Sequence, residues 1–173
     1  DSTSNLLEDN NSNGTFNVTN PIGGVLTYEV LTDTANGAFS VDENGSWNYD
    51  PSQDYNGADS VTIKVTNEYG LSTTSTLSFD IEAVNDAPVT TETESFTLQD
   101  VREQTGEVQA SDVDGDTLNF TVTTDASHGT LTIDETGAWT YNVDGIYMGE
   151  DSAIITVDDG NGGRATKTLN FNA

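Results

Sequence analysis

The stretch ASDVDGDTLNF, Ala110 to Phe120, places three carboxylates, Asp112, Asp114 and Asp116, within five residues. Two bare carboxylates about 4 Å apart repel by about 4 kcal/mol at an effective dielectric near 20. A cluster of them must raise its pKa values or recruit a cation. Hard oxygen donors, many per site and flexibly spaced, suit Ca2+ better than Mg2+, which demands a strict octahedron and keeps its waters. The segment is not an EF-hand loop, because its glycine is fourth rather than sixth and no glutamate stands twelfth. A second acidic turn, VDDGNGG, adds Asp158 and Asp159.

The elements that must position these groups are legible from an internal repeat. Shifted by 92 residues, NGAFSVDENGSWNYD lies over HGTLTIDETGAWTYN without a gap, so that Gly37, Trp47 and Tyr49 fall on Gly129, Trp139 and Tyr141. The match resumes at Tyr55, Gly57 and Asp59 over Tyr147, Gly149 and Asp151. The chain is one unit written twice, with a period too long for a helical solenoid and suited to a small β-sandwich. Apolar and polar residues alternate in LTYEV, GAFSV, SVTIKV and TLSFDIEAV, as half-buried strands require. The expected architecture is all-β: two tandem Ig-like, seven-stranded sandwiches, residues 1–84 and 85–173, joined by the linker VNDAP with residues 85–88 opening the second. In the second unit, strands A to G are expected, in that order, near Val89–Leu98, Glu107–Ala110, Leu118–Thr124, Thr130–Ile133, Ala138–Asn142, Ala153–Val157 and Arg164–Phe171, and the first unit takes the same set shifted back. Asp42–Gly45 and Asp134–Gly137 are expected hairpin turns, and Trp47 and Trp139 are expected in the core.

In a sandwich of this kind loops alternate between two ends. Asp112, Asp114 and Asp116 of the B–C loop and Asp158 of the F–G loop then share the end where the linker brings Asn85 and Asp86. In the first unit, Glu8 and Asp9 of the A–B loop and Asp54 and Asp59 of the E–F loop share the end where the chain leaves toward the linker. Convergence of these segments predicts calcium at the junction of the two units. The opposite end of the first unit is depleted, because Asn20, Ile22 and Gly24 stand over the three aspartates, and Asn67 and Glu68 stand over Asp158 and Asp159. Little or no calcium is expected there.

The chain has 30 acidic and 4 basic residues in 173, a formal net charge of −26, which excludes polyanionic partners such as nucleic acid. With no cysteine, no disulfide frame holds its small cores. No run of apolar residues is long enough to span a membrane, so membrane insertion is not expected. The sequence starts at Asp1, has Met148 as its only methionine and shows no signal peptide, which reads as an excised fragment or processed chain.

VNDAP, ASDVDGDTLNF, HGTLTIDETGAWTYN, YNGADSVTIKV and VDDGNGG resemble the tandem cadherin-like repeats of giant bacterial surface adhesins, including VCBS-type and RTX-adhesin repeats. The resemblance covers nearly the whole chain and weakens at Asn20–Gly24 and Asn67–Gly70. It implies a cadherin-like sandwich, export to the cell surface and calcium bound between repeats. By that resemblance Asn85, Asp86, Asp112 and Asp114 are the best-matched ligands, joined by Glu8 and Asp59 from the preceding unit.

The resulting expectation is a calcium-rigidified extender segment of a cell-surface adhesin, serving adhesion or biofilm. It is monomeric, with neighbouring repeats of the same chain as partners. The alternative is a module for cell-surface glycans or proteins, for which Tyr28, Tyr49, Tyr55 and Tyr69 of the divergent first unit would supply stacking faces. No enzyme is expected. His128 is the only histidine, and Ser127 beside it makes no triad.

Overall fold

The computed structural model describes residues 1–99 and 101–173. They form strands, turns and connecting segments and no helix. The chain divides into two compact units, Asp1–Val84 and Asn85–Ala173.

Unit 1 consists of β1 (Ser2–Leu7), β2 (Ser12–Thr15), β3 (Leu26–Thr32), β4 (Gly37–Val41), β5 (Ser46–Pro51), β6 (Gly57–Asn67) and β7 (Ser72–Glu82). One sheet has the order β1-β7-β6-β3 and the other β2-β5-β4. The first strand runs parallel to the last, Ser2 opposite Leu77 and Leu7 opposite Glu82, while the remaining pairs are antiparallel.

Unit 2 repeats the plan with β8 (Val89–Thr90), β9 (Thr93–Thr97), β10 (Glu103–Glu107), β11 (Ala110–Ser111), β12 (Asn119–Thr124), β13 (Gly129–Ile133), β14 (Ala138–Val143), β15 (Glu150–Asp158) and β16 (Arg164–Asn172). Its sheets are β12-β15-β16-β9 and β10-β14-β13, with the short pair β11-β8 besides. This is the expected all-β pair of sandwiches, with two strands subdivided. The expected strand Val89–Leu98 is broken at Thr91–Glu92, where the chain leaves β11 and joins β16 in parallel. The expected strand Glu107–Ala110 instead begins at Glu103 and resumes at Ala110. Its pattern EQTGE hid it, because Gly106 shows no side chain to mark the inward face.

Each core has the same aromatic plan. Tyr49 stacks on Phe79 with ring centroids 3.9 Å apart, and Tyr141 on Phe171 at 3.8 Å. Trp47 and Trp139 meet the same phenylalanines edge-on, each at 5.8 Å. Both indoles are buried, as expected of core residues. Each lies across a glycine on the neighbouring strand, for Gly14 is paired with Trp47 and Gly106 with Trp139. A Cβ on Gly106 would stand 2.4 Å from the Trp139 ring, so the indole occupies the space that a side chain would need. The expected hairpin turns form at Asp42–Gly45 and Asp134–Gly137, with Gly45 and Gly137 at φ of 80° and 89°. In each turn the leading aspartate accepts amide hydrogen bonds from the residues two and four positions later.

Candidate metal centres

In unit 2 the DVDGD turn folds its own carboxylates inward. Asp112 Oδ1 accepts the amides of Asp114 at 2.9 Å and Asp116 at 3.4 Å, a local closure typical of aspartate in turns. Gly115 supplies the left-handed residue at φ 77°. As a result, one oxygen from each of Asp112, Asp114 and Asp116 lies within 4.8 Å of the others. The second oxygen of Asp112, Oδ2, is shielded from solvent and accepts no hydrogen bond. A buried carboxylate oxygen without a donor is unfavourable unless something positive meets it.

The linker residues and the F–G turn complete this end of unit 2. Asp114 Oδ2 accepts the Asp86 amide at 2.7 Å, and Asn85 Nδ2 donates to Asp159 Oδ2 at 2.8 Å. Asp116 Oδ2 accepts Asn161 Nδ2 at 2.8 Å. Asp159 is buried, and its Oδ1 accepts the amides of Asn161 and Gly163. The Asn85 amide, with those backbone donors and against its own desolvation, holds the Asp159 carboxyl below the usual carboxylate range. The candidate ligand Asp158 points elsewhere. It accepts the Gly160 amide and pairs with the Arg164 guanidinium, and these two donors lower its pKa. Successive strand residues face opposite ways, so only one of the two aspartates at the end of β15 can turn toward Asn85, and it is Asp159.

Unit 1 brings three of its four candidate ligands together where its chain ends. Glu8 is buried. Its Oε1 accepts the Val84 amide, and its Oε2 accepts Asn56 Nδ2 at 3.3 Å. Asp9 Oδ1 accepts the Asp54 amide at 3.1 Å. Asp9 and Asp54 are the non-glycine residues with positive φ among those described, at 60° and 57°. Aspartate tolerates this left-handed conformation better than most side chains, and such residues cluster at ligand-binding sites.

Asp59 is not part of that group. Its carboxylate accepts the amides of Ala35, Asn36 and Ser60 and the Tyr49 hydroxyl, the last at 2.7 Å. Burial works to raise its pKa, but the tyrosine and the three amides outweigh burial and hold it below the usual range. The same burial and the neighbouring carboxylate push the Tyr49 hydroxyl well above its usual pKa. Asp151 repeats this arrangement with Ser127, His128, Ser152 and Tyr141. These two aspartates clamp the turn between β3 and β4 in unit 1 and between β12 and β13 in unit 2. The signal was present in the repeat, as a tyrosine and an aspartate ten residues apart in both units.

The far end of unit 1 keeps the turns and has lost the aspartates, with Glu68 beside Gly24 as the remaining carboxylate of these two turns. Asn67 Oδ1 accepts the amides of Tyr69 and Leu71, as Asp159 Oδ1 does from Asn161 and Gly163. Asn67 therefore takes the place of Asp159, as the ungapped 92-residue shift itself requires, and the expected pairing of Asn67 and Glu68 with Asp158 and Asp159 is corrected by one position, with Glu68 over Gly160. Of the four tyrosines considered as stacking faces, Tyr49 is in the core, Tyr28 and Tyr55 are half-buried, and Tyr69 is 64% exposed. The His128 ring lies flat on Tyr147, 3.9 Å between centroids.

Two sandwiches in tandem, each closing its larger sheet with a parallel first-to-last strand pair and carrying acidic turns at its strand ends, define a cadherin-type repeat array. The chain belongs to the bacterial cadherin-like domain family, which matches residues 1–83 and again 85–173. No curated relative matches it. Among solved structures it is similar to human CDH23 EC21-23, with 19% identity over 98% of this chain and 66% of that one and a TM-score of 0.57. It is also similar to human protocadherin-24 EC1-2, with 16% identity over 98% of this chain and 92% of that one and a TM-score of 0.53. These likenesses are of fold. An endo-fucoidan hydrolase of glycoside hydrolase family 107 matches 99% of this chain at 20% identity, with a TM-score of 0.41. The chain spans only 27% of that enzyme's length. Other first matches are also longer proteins, and the chain spans 40% of the human desmocollin-1 ectodomain and 33% of the protocadherin gammaB4 extracellular domain. No helix among the described residues is long and apolar enough to cross a membrane.

Proposed function

We propose that this chain is a calcium-binding spacer within a bacterial cell-surface adhesin, displayed outside the cell, with neighbouring repeats of the same protein as its partners and no catalytic role. The observation that carries the reading is the Asp112, Asp114 and Asp116 cluster, in which Asp112 Oδ2 is buried without a hydrogen-bond donor. Asp114 and Asp116 would supply further oxygens, and the Asp86 amide and Asn161 side chain already hold those carboxylates in place. At the carboxyl end of unit 1, Asp9 and Asp54 bring carboxylate oxygens within 4.8 Å of each other, and Glu8 accepts the Val84 amide. All of these ligands are oxygens, flexibly spaced, which favours Ca2+. A bound ion would offset the repulsion among the carboxylates and stabilise the fold by mass action.

The test is a calorimetric calcium titration of the metal-stripped chain, repeated with Asp112→Ala and Asp114→Ala combined. Saturable binding that weakens at least about tenfold in the double variant is expected. Absence of binding at millimolar calcium, or binding unaltered by the double substitution, would remove the reading.

A further inference from the structure

The larger sheet of unit 2 carries a hollow of 670 Å³, away from the DVDGD turn. Strand register builds its floor. Ser95 stands opposite Asn170 and Asn170 opposite Ser152, and the next row, two residues along, is Thr97, Asn172 and Glu150. These side chains point away from the core, because Leu169 and Phe171 on either side of Asn170 belong to it. Ser127 and His128 join the lining. The His128 ring is exposed although it lies on Tyr147, with 8° between the planes, so one face of a fixed aromatic pair stays open.

We propose that this hollow is a binding site for a neutral saccharide. The first argument is hydrogen-bonding capacity. The side chains of Ser95, Thr97, Ser152, Asn170 and Asn172 make no hydrogen bond within the described residues. Hydroxyls and carboxamides both donate and accept, which is also what a sugar hydroxyl does. The second argument is charge. An anion would meet Glu150 and the field of a chain with net charge −26. A cation would find little, because the Asp151 oxygens already accept the amides of Ser127, His128 and Ser152 and the Tyr141 hydroxyl. The third argument is shape. The volume lies within the range of about 300–1,000 Å³ common to small-ligand sites, and the open His128 ring offers a flat surface to the C–H face of a sugar.

The comparison between the units sharpens this. Unit 1 has Ala35, Asn36, Ala58 and Ser78 where unit 2 has Ser127, His128, Glu150 and Asn170, so it lacks both the ring and the Asn170 amide. Its matching residues Thr3, Ser60 and Asp80 are exposed although the chain runs on past them, so this face of the repeat is open wherever the chain begins or stops. The saccharide seat therefore belongs to unit 2 and not to the tyrosines of unit 1. It uses no cation and is independent of the calcium reading.

The test is a titration of the isotopically labelled 173-residue chain, with chelator present throughout, followed by NMR at the Asn172 side-chain amide and the Ser152 backbone amide. The probes are maltohexaose, cellohexaose and mannohexaose, with a galacturonate hexamer as the charged control. At least one neutral hexamer should shift both signals saturably. Ser95→Ala and Asn170→Ala combined should weaken that binding at least about tenfold. His128→Ala should also weaken it, and His128→Phe, which keeps a flat ring, should restore it. The proposal is overturned if no neutral hexamer gives a saturable shift, or if the shifts fall on unit 1 alone. It is also overturned if the double variant binds as the parent does, or if the galacturonate hexamer binds as tightly as the neutral ones.

Discussion

At the scale of single residues, the same side chain does two different jobs. Asp112 and Asp114 gather oxygens at a turn, whereas Asp59 and Asp151 are saturated by amides and a tyrosine hydroxyl. Acid count alone does not separate these roles, because both kinds of aspartate stand beside a turn. The difference is the supply of donors, which the sequence records only as a tyrosine ten residues upstream. Tyr141→Phe removes one charge-assisted hydrogen bond from a buried position. It should destabilise unit 2 by about 1.5–3 kcal/mol, read from denaturant midpoints. The pH dependence follows from the lowered pKa values of Asp59 and Asp151. Their stabilisation is complete above the unfolded aspartate value of about 3.9 and is lost as pH falls through the lower folded value. Replacing both by asparagine should flatten the fall in stability between about pH 5 and pH 2. A fall in the double variant as steep as in the parent would contradict this.

At the scale of elements, the repeat made the strands legible and the glycines concealed one of them. Alternation placed β12 to β16 within a few residues of their observed limits. β10 was missed because Gly106 leaves its inward position empty for Trp139. The glycine matters because the indole needs the space, so Gly106→Ala forces the ring or the strand to move. Overpacking of this kind typically costs about 1–3 kcal/mol, and a shift in tryptophan emission should accompany the loss. Gly14→Ala is expected to act in the same way on Trp47, where the Cβ would approach to 2.7 Å.

At the scale of the whole molecule, a net charge of −26 on 173 residues opposes folding by self-repulsion. Monovalent salt should raise the melting temperature by screening, and millimolar calcium should raise it further at equal ionic strength. In the combined Asp112→Ala and Asp114→Ala variant the salt effect should persist and the calcium increment should shrink. A calcium effect no larger than that of an equally screening salt would mean that the ion acts on the overall charge and not at a site.

The amino-acid sequence by itself determined the fold class, the two-unit organisation and which turns are acidic. Those follow from period-two patterning, from a repeat matched without gaps and from the positions of aspartates in Gly-rich turns. Tertiary structure alone decided which carboxylates meet. It turned Asp159 toward Asn85 and Asp158 toward Arg164, and it tied Asp59 to Tyr49. Sequence places a residue in a loop, but strand pleat and register set the direction of its side chain. A single position is enough to exchange a buried, hydrogen-bonded carboxylate for a surface ion pair.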